Sequence, residues 1–206
     1  MKIALIGGTG SFGTALAVRL RSAGYDVVIG SRDAERARGA AAVVGVEGAT
    51  NEDAARAADF VIVATQADRA VETARSLRDA IGSKPVLSVA AELLFTKDGV
   101  LPTPEATSIA QRIQEVLDGP VVAGLHSLAA SNLGGDEAPE EDALVCGDDP
   151  DAKAIALELA GNVTAGRAID AGPLASSRAL EGMTAVIVNV NRRYKTHSGL
   201  RVTGVH

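Results

Sequence analysis

Tryptophan is absent from this chain, and aromatic side chains amount to three Phe and two Tyr. That scarcity removes the stacking platforms on which proteins hold single-stranded nucleic acid. Acidic residues outnumber basic ones, and the formal net charge of −6 leaves no basic face for a duplex. Nucleic acid is therefore not an expected partner. The one cysteine, Cys146, excludes a disulfide framework within the chain, and with only three His it leaves no zinc-finger spacing. No metal site is expected, and Cys146 reads as a buried apolar thiol beside Ala143-Leu144-Val145. No stretch approaches the length of a membrane span without a charge or strongly polar group, so no membrane partner is expected. Lys2 passes directly into a structural strand, which does not fit a signal peptide. The compartment these features imply is the cytoplasm.

What is present begins with "KIALIGGTGSFG", residues 2 to 13. Ile3 to Ile6 form a continuous apolar run, which suits a central parallel strand covered on both faces. Gly8-x-Gly10-x-x-Gly13 follows at once, and Thr14 to Ala23 reads as a helix with Leu16 and Leu20 on one face. A glycine fingerprint in that frame predicts dinucleotide binding. Gly8 would make the tight turn, Gly10 would let a pyrophosphate approach the backbone, and Gly13 would let helix and strand pack closely. Unpaired amides at the helix start would face the anion. Gly7-x-x-Gly10-x-x-Gly13 also fits the looser pattern of short-chain dehydrogenases. Those enzymes need a Tyr and a Lys four residues apart, and neither Tyr25 nor Tyr194 has a lysine at that offset.

Strand-like runs recur at 26–29, 60–63, 85–89 and 121–124 with helical stretches between them. A cap at Asn51 or Thr50 opens one helix, residues 69–81 read as another, and Pro104 is expected to open a third. This alternation implies a Rossmann-type α/β fold, a doubly wound parallel sheet. From His126 the pattern changes to a polar loop at 131–142 and a strand near 143. A helix follows, entered by Asp149-Pro150, then a short strand at 167–170 and a long helix from about Leu174 to Asn191. The expected organisation is an NADP-binding domain over 1–125 and a small C-terminal α/β lobe over 126–206. The cleft between them would be the ligand site.

NAD-preferring sites place a carboxylate about 20 residues past the glycines, to bond the ribose 2′-hydroxyl. This chain places Ser31 and Arg32 there, with Arg36 and Arg38 close behind. A hydroxyl with a guanidinium fork binds a 2′-phosphate that a carboxylate would repel. The neighbouring Asp33 is better placed to cap the helix starting at Ala34. NADP is therefore expected over NAD. His126 follows the last parallel strand, where ligands gather, and either contacts the nicotinamide or rests against a backbone carbonyl. Glu92 reads as a loop salt bridge and His197 as solvated. No obvious proton-transfer group stands out, which suits plain hydride exchange between two rings.

The segments "GGTGSFGTALAVRLRSAGYDVVIGSRDAERA", "GLHSLAA", "LVCGDDPDAK", "DAGPLASSRALEGMTA" and "NVNRRYKTHSGLRVTG" resemble the NADPH-dependent reductases of the deazaflavin coenzyme F420. The resemblance implies reversible hydride transfer between C4 of NADP(H) and C5 of the deazaflavin. It implies that Thr9, Gly10, Ser11 and Phe12 hold the pyrophosphate and that Ser31, Arg32 and Arg36 hold the 2′-phosphate. His126 and Ala130 would lie near the stacked rings, and Gly199 and Leu200 would close over the deazaflavin. A homodimer or higher homo-oligomer is implied, with the C-terminal helix as contact surface. Two segments depart from the pattern: Thr65-Gln66, where many members carry proline, and "SVAAELLFTKDG". Both would border the rings, with Thr65 among the cofactor contacts. Two other readings stand beside this one: a reductase of another flavin or small acceptor, and an NADP-binding sensor without turnover.

Overall fold

The apolar run at the start of the chain becomes β1 (Lys2–Ile6), and its side chains divide between two cores. In the computed structural model, which describes residues 1–205, Ile3 and Leu5 enter one core while Ala4 and Ile6 enter the other. Successive side chains of a strand point to opposite faces, so a run apolar at every position needs cover on both sides. The first half continues with α1 (Ser11–Ser22), β2 (Asp26–Ser31), α2 (Ala34–Val44), β3 (Glu47–Thr50), α3 (Asn51–Ala57) and β4 (Phe60–Val63). Then come α4 (Ala67–Ser76), α5 (Arg78–Ile81), β5 (Val86–Ser88), a hairpin of β6 (Leu93–Thr96) and β7 (Gly99–Pro102), α6 (Ile109–Gln114) and β8 (Val121–Gly124). The chain ends with α7 (Ala130–Leu133), β9 (Ala143–Gly147), α8 (Pro150–Val163), β10 (Ala168–Asp170), a 3₁₀ turn (Leu174–Ser176) and α9 (Ser177–Tyr194).

Eight strands form one sheet in the order β10-β9-β8-β5-β4-β1-β2-β3. All neighbours are parallel except β8 and β9, giving the Rossmann-type α/β fold the sequence implies. Leu16 and Leu20 of α1, Val44 of α2 and Leu159 of α8 cover one face. Ala54 of α3, Ala70 of α4, Ile113 of α6 and Leu180 of α9 cover the other.

The strands expected to build a separate C-terminal lobe instead continue this sheet. The connection from β8 through α7 stays at one end of the sheet, so β9 must return antiparallel to β8. Helix α8 then crosses over to a parallel β10 in an ordinary βαβ unit.

Several elements differ from the sequence reading. Helix α6 begins at Ile109, not Pro104, because Ser108 caps it in a reciprocal capping box with Gln111. Residues 69–81 hold two helices separated at Leu77. Thr50 rather than Asn51 caps α3, its hydroxyl accepting from the Asp53 N–H at 3.1 Å. The segment that departs from the family pattern becomes the β6–β7 hairpin, tied to α9 by Asn189. The Asn189 Oδ1 accepts from Val100 N at 2.8 Å, and its Nδ2 donates to Val100 O at 2.7 Å.

Candidate active site

The chain leaves β1 through Gly7, whose φ of +72° lies in the left-handed region. A Cβ there would lie 2.4 Å from Thr65 Cγ2, so Gly7 supplies the left-handed turn, and Gly8 is needed as well, since a Cβ on it would lie 2.8 Å from Leu5 O. Gly8 is also the floor under α1, because a Cβ on Gly13 would come within 2.6 Å of the Gly8 Cα. Both are buried beneath the turn. A Cβ on Gly10 would meet nothing within 4 Å, and Gly10 is the N-cap of α1 with no side chain to satisfy the first amides. Thr9 and Gly10 line a cleft of about 600 Å³. Ser11 is exposed at the first position of α1, and Phe12 packs against the core.

Ser31, Arg32 and Arg36 line the outer end of the same cleft. Ser31 is the last residue of β2 and is buried, while the two arginines are exposed. Among the described residues, none accepts a hydrogen bond from either guanidinium. The Asp33 carboxylate is turned away to cap α2, accepting from Glu35 N at 2.8 Å and Arg36 N at 3.2 Å. The opposite wall is one face of α4, with Arg69 and Thr73 one turn apart, and Asn51 joins the floor. The Asn51 Oδ1 accepts from Gly7 N at 3.3 Å, fixing the turn from below. Sequence reasoning missed these residues, since their only local signal is a polar helix face and a potential cap.

The sheet order sets the ends of β4, β5 and β8 beside the glycine turn. Three buried polar atoms there have no partner among the described residues: Thr65 Oγ1, Ser88 Oγ and His126 Nδ1. Thr65 borders the cleft, and His126 lies two strands further along, beyond the residues that line it. His126 Nε2 stands 3.2 Å from the Ala90 carbonyl. A carbonyl only accepts, so Nε2 carries the hydrogen and Nδ1 presents a bare lone pair. Burial pushes the imidazole pKa down to about 4, and it is neutral near pH 7. Leu125, just before it, holds a φ of 64°, a strained conformation for a branched side chain and a common mark of functional loops. Ala130 begins α7 four residues later.

The C-terminal segment returns to this end of the sheet. Asn132 of α7 donates to the His197 carbonyl at 3.2 Å, and Ser131 Oγ lies 3.1 Å from His197 Nδ1. His197, expected to be simply solvated, is exposed yet held by α7. Gly199 lies against Glu141, whose side chain would overlap any Cβ there, and Leu200 O accepts from Asp142 N at 2.8 Å. Glu92 pairs with Arg112 at 2.8 Å, the loop salt bridge its sequence suggests. The Cys146 thiol is buried, and desolvation pushes its pKa to about 12. Glu181, which the sequence did not single out, is buried on α9 and accepts from Ile109 N at 3.1 Å and Ala110 N at 3.3 Å.

The sequence pattern of the family described as NADP oxidoreductase, coenzyme F420-dependent, matches residues 2–92. An F420-dependent NADP reductase of Methanocaldococcus jannaschii is 34% identical over 100% of this chain and 99% of its own length. One from Methanothermobacter thermautotrophicus is 36% identical, covering 100% of this chain and 96% of its own. This chain belongs to that family. The crystal structure of a candidate F420-dependent NADP reductase from Arthrobacter sp. FB24 superposes with a TM-score of 0.87 at 23% identity. It covers 98% of this chain and 99% of its own, so the two share one fold over nearly their whole length.

Proposed function

We propose that this protein catalyses reversible hydride transfer between C4 of NADP(H) and C5 of the deazaflavin coenzyme F420. The observation that carries the reading is the row of groups along one edge of the sheet. Among the described residues, guanidinium groups without an acceptor stand beyond the end of β2, an open turn at β1, and unpartnered buried polar atoms at β4, β5 and β8. From β2 to β8 this edge spans about 19 Å at roughly 4.8 Å per strand, room for an extended dinucleotide with a second ring beside it.

When both ligands are bound, reduced nicotinamide would supply the hydride, and the deazaflavin would take it at C5 together with one proton from solvent. The α1 amides and Thr9, Gly10, Ser11 and Phe12 hold the pyrophosphate, and Ser31, Arg32 and Arg36 hold the 2′-phosphate. Thr65 borders the nicotinamide. His126 and Ala130 flank the ring pair, and Gly199 and Leu200 close the deazaflavin side. The bare His126 Nδ1 is the group that would accept a hydrogen bond from a ring or carboxamide N–H. A neutral imidazole lends no charge and no proton, so the rate comes from alignment.

Exposed Leu94, Phe95 and Leu101 of the hairpin and Val186 of α9 support assembly as a homodimer or larger homo-oligomer. The single buried thiol supports a cytoplasmic site of action, and among the described residues no helix is long and apolar enough to cross a membrane.

The deciding experiment follows visible absorbance of the purified protein with NADPH and oxidised F420, beside FMN and a control without acceptor. Bleaching of F420 alone is expected. Bleaching of FMN instead would favour the ordinary-flavin reading, for which the Thr65-Gln66 and hairpin departures are the motive. Tight NADPH binding with no bleaching of either would leave a nucleotide-binding sensor.

A further inference from the structure

Asp142 lies just before β9 and is completely buried. Its carboxylate Oδ1 accepts from the Arg167 backbone N–H at 2.9 Å and from Nε at 3.2 Å. Its Oδ2 accepts from Arg167 Nη2 at 2.6 Å and from the Val202 N–H at 2.7 Å. Its own N–H donates to Leu200 O at 2.8 Å, and its carbonyl accepts from Ser127 Oγ at 2.8 Å. Arg167 in turn donates to the carbonyls of Val202 and Val205. One residue thus joins the tail, the start of β10 and the residue next to His126. The Arg167 guanidinium holds the Asp142 carboxyl well below the usual carboxylate range.

Sheet pairing does not require this ion pair. β9 and β10 are already joined through their main chains, with Ala143 N donating to Arg167 O at 2.8 Å. The pair is also a poor source of stability compared with apolar packing, because the Asp142 carboxylate is fully desolvated while the partner Arg167 keeps 39% of its side chain in solvent. What this pair does instead is satisfy backbone groups of a tail that has no regular structure over residues 196–205. We infer that Asp142 is a positioning residue for the acceptor end of the site, fixing Leu200 and Val202 in register with the loop that carries His126. The inference rests on the proposed function, because it takes the deazaflavin to be the ligand that the tail covers.

Three variants test it: Asp142→Ala, a truncation after Ser198, and the two combined. Asp142→Ala should raise KM for F420 about tenfold or more while the NADPH dissociation constant, read from nicotinamide fluorescence, stays within about twofold. The truncation should do the same, and the combination should be no worse than the truncation alone, because both act through one segment. Equal losses for NADPH and F420 would assign Asp142 to general stability and overturn the proposal. An unchanged KM for F420, or effects that multiply in the combined variant, would also overturn it. Trypsin cleavage after Arg201 reads tail seating without any acceptor, and faster cleavage in Asp142→Ala is expected; unchanged cleavage refutes the anchor. A wild-type protein inert toward F420 whose tail is nevertheless released by Asp142→Ala would place the error in the assigned acceptor and not in the anchor.

Discussion

Two buried titratable side chains pull the stability of this molecule in opposite directions across the same pH range. His126 has an ordinary pKa of 6.5 and a folded value of about 4, lowered by burial. Its contribution is complete above pH 6.5 and is lost as the pH falls through about 4. Glu181 moves from an ordinary 4.5 to about 7, again through burial, against the opposing pull of the two amides it accepts from. Its contribution is complete below pH 4.5 and is lost as the pH rises through about 7. Each is worth on the order of 1–3 kcal/mol, and in the wild type they largely offset. Calorimetry between pH 4.5 and 7 should therefore show Glu181→Gln losing stability on acidification more steeply than wild type. His126→Asn should lose it as the pH rises. Parallel curves for all three proteins would mean that neither group is perturbed as its burial implies. Arg32 lies at the other end of the site. Charge-assisted hydrogen bonds are worth about 1.5–3 kcal/mol, so Arg32→Ala should raise KM for NADPH about 10- to 100-fold. KM for NADH should stay nearly constant, and equal changes for both would remove the 2′-phosphate from this residue.

Among the elements, the β1–α1 unit separates packing from binding within one glycine motif. Gly13→Ala drives a Cβ into the Gly8 backbone and should cost about 1–3 kcal/mol of stability by forcing α1 off the sheet. Gly10→Ala meets nothing in the protein and should leave the melting temperature unchanged. Its methyl group would occupy space meant for the pyrophosphate, so NADPH binding should weaken. Loss of stability in Gly10→Ala, or none in Gly13→Ala, would reverse these roles. The α2 and α8 starts were legible because their caps are local: Asp33 and Asp149 each bond amides two or three residues on. The α6 start has a local cap too, the Ser108–Gln111 box, but Pro104 was the more conspicuous opening signal, and the Glu181 carboxylate from α9 adds bonds to the first amides that no local pattern shows. Strand β3 has a single Ala among Glu, Gly and Thr, and only pairing with β2 at the sheet edge makes it a strand. The β6–β7 hairpin escaped notice for a related reason, since Asn189 of a distant helix holds it.

The molecule as a whole leaves Leu94, Phe95, Leu101 and Val186 in solvent, with Arg192 lying over the Phe95 ring at 5.4 Å. An apolar surface built from a hairpin and a long helix is what a second copy would cover. If the proposed homo-oligomer forms through this surface, sedimentation should show an oligomer for the wild type and a monomer for the double variant Phe95→Asp, Val186→Asp, with NADPH binding retained. A variant that sediments like wild type would remove this face from the assembly.

By itself, the sequence determined the Rossmann frame and pointed to NADP and to a phosphate turn at the glycines, because each of these readings depends on residues close together along the chain. Apolar runs need two-sided cover, glycines set close approaches, and a hydroxyl beside a guanidinium replaces the carboxylate that NAD requires. The tertiary structure alone decided that β9 and β10 extend one sheet. It also decided that His126 is neutral with a bare Nδ1, and that Asp142 binds the tail to the loop beside it. Those properties come from desolvation and from hydrogen bonds between segments 15 to 60 residues apart, and no local pattern encodes them.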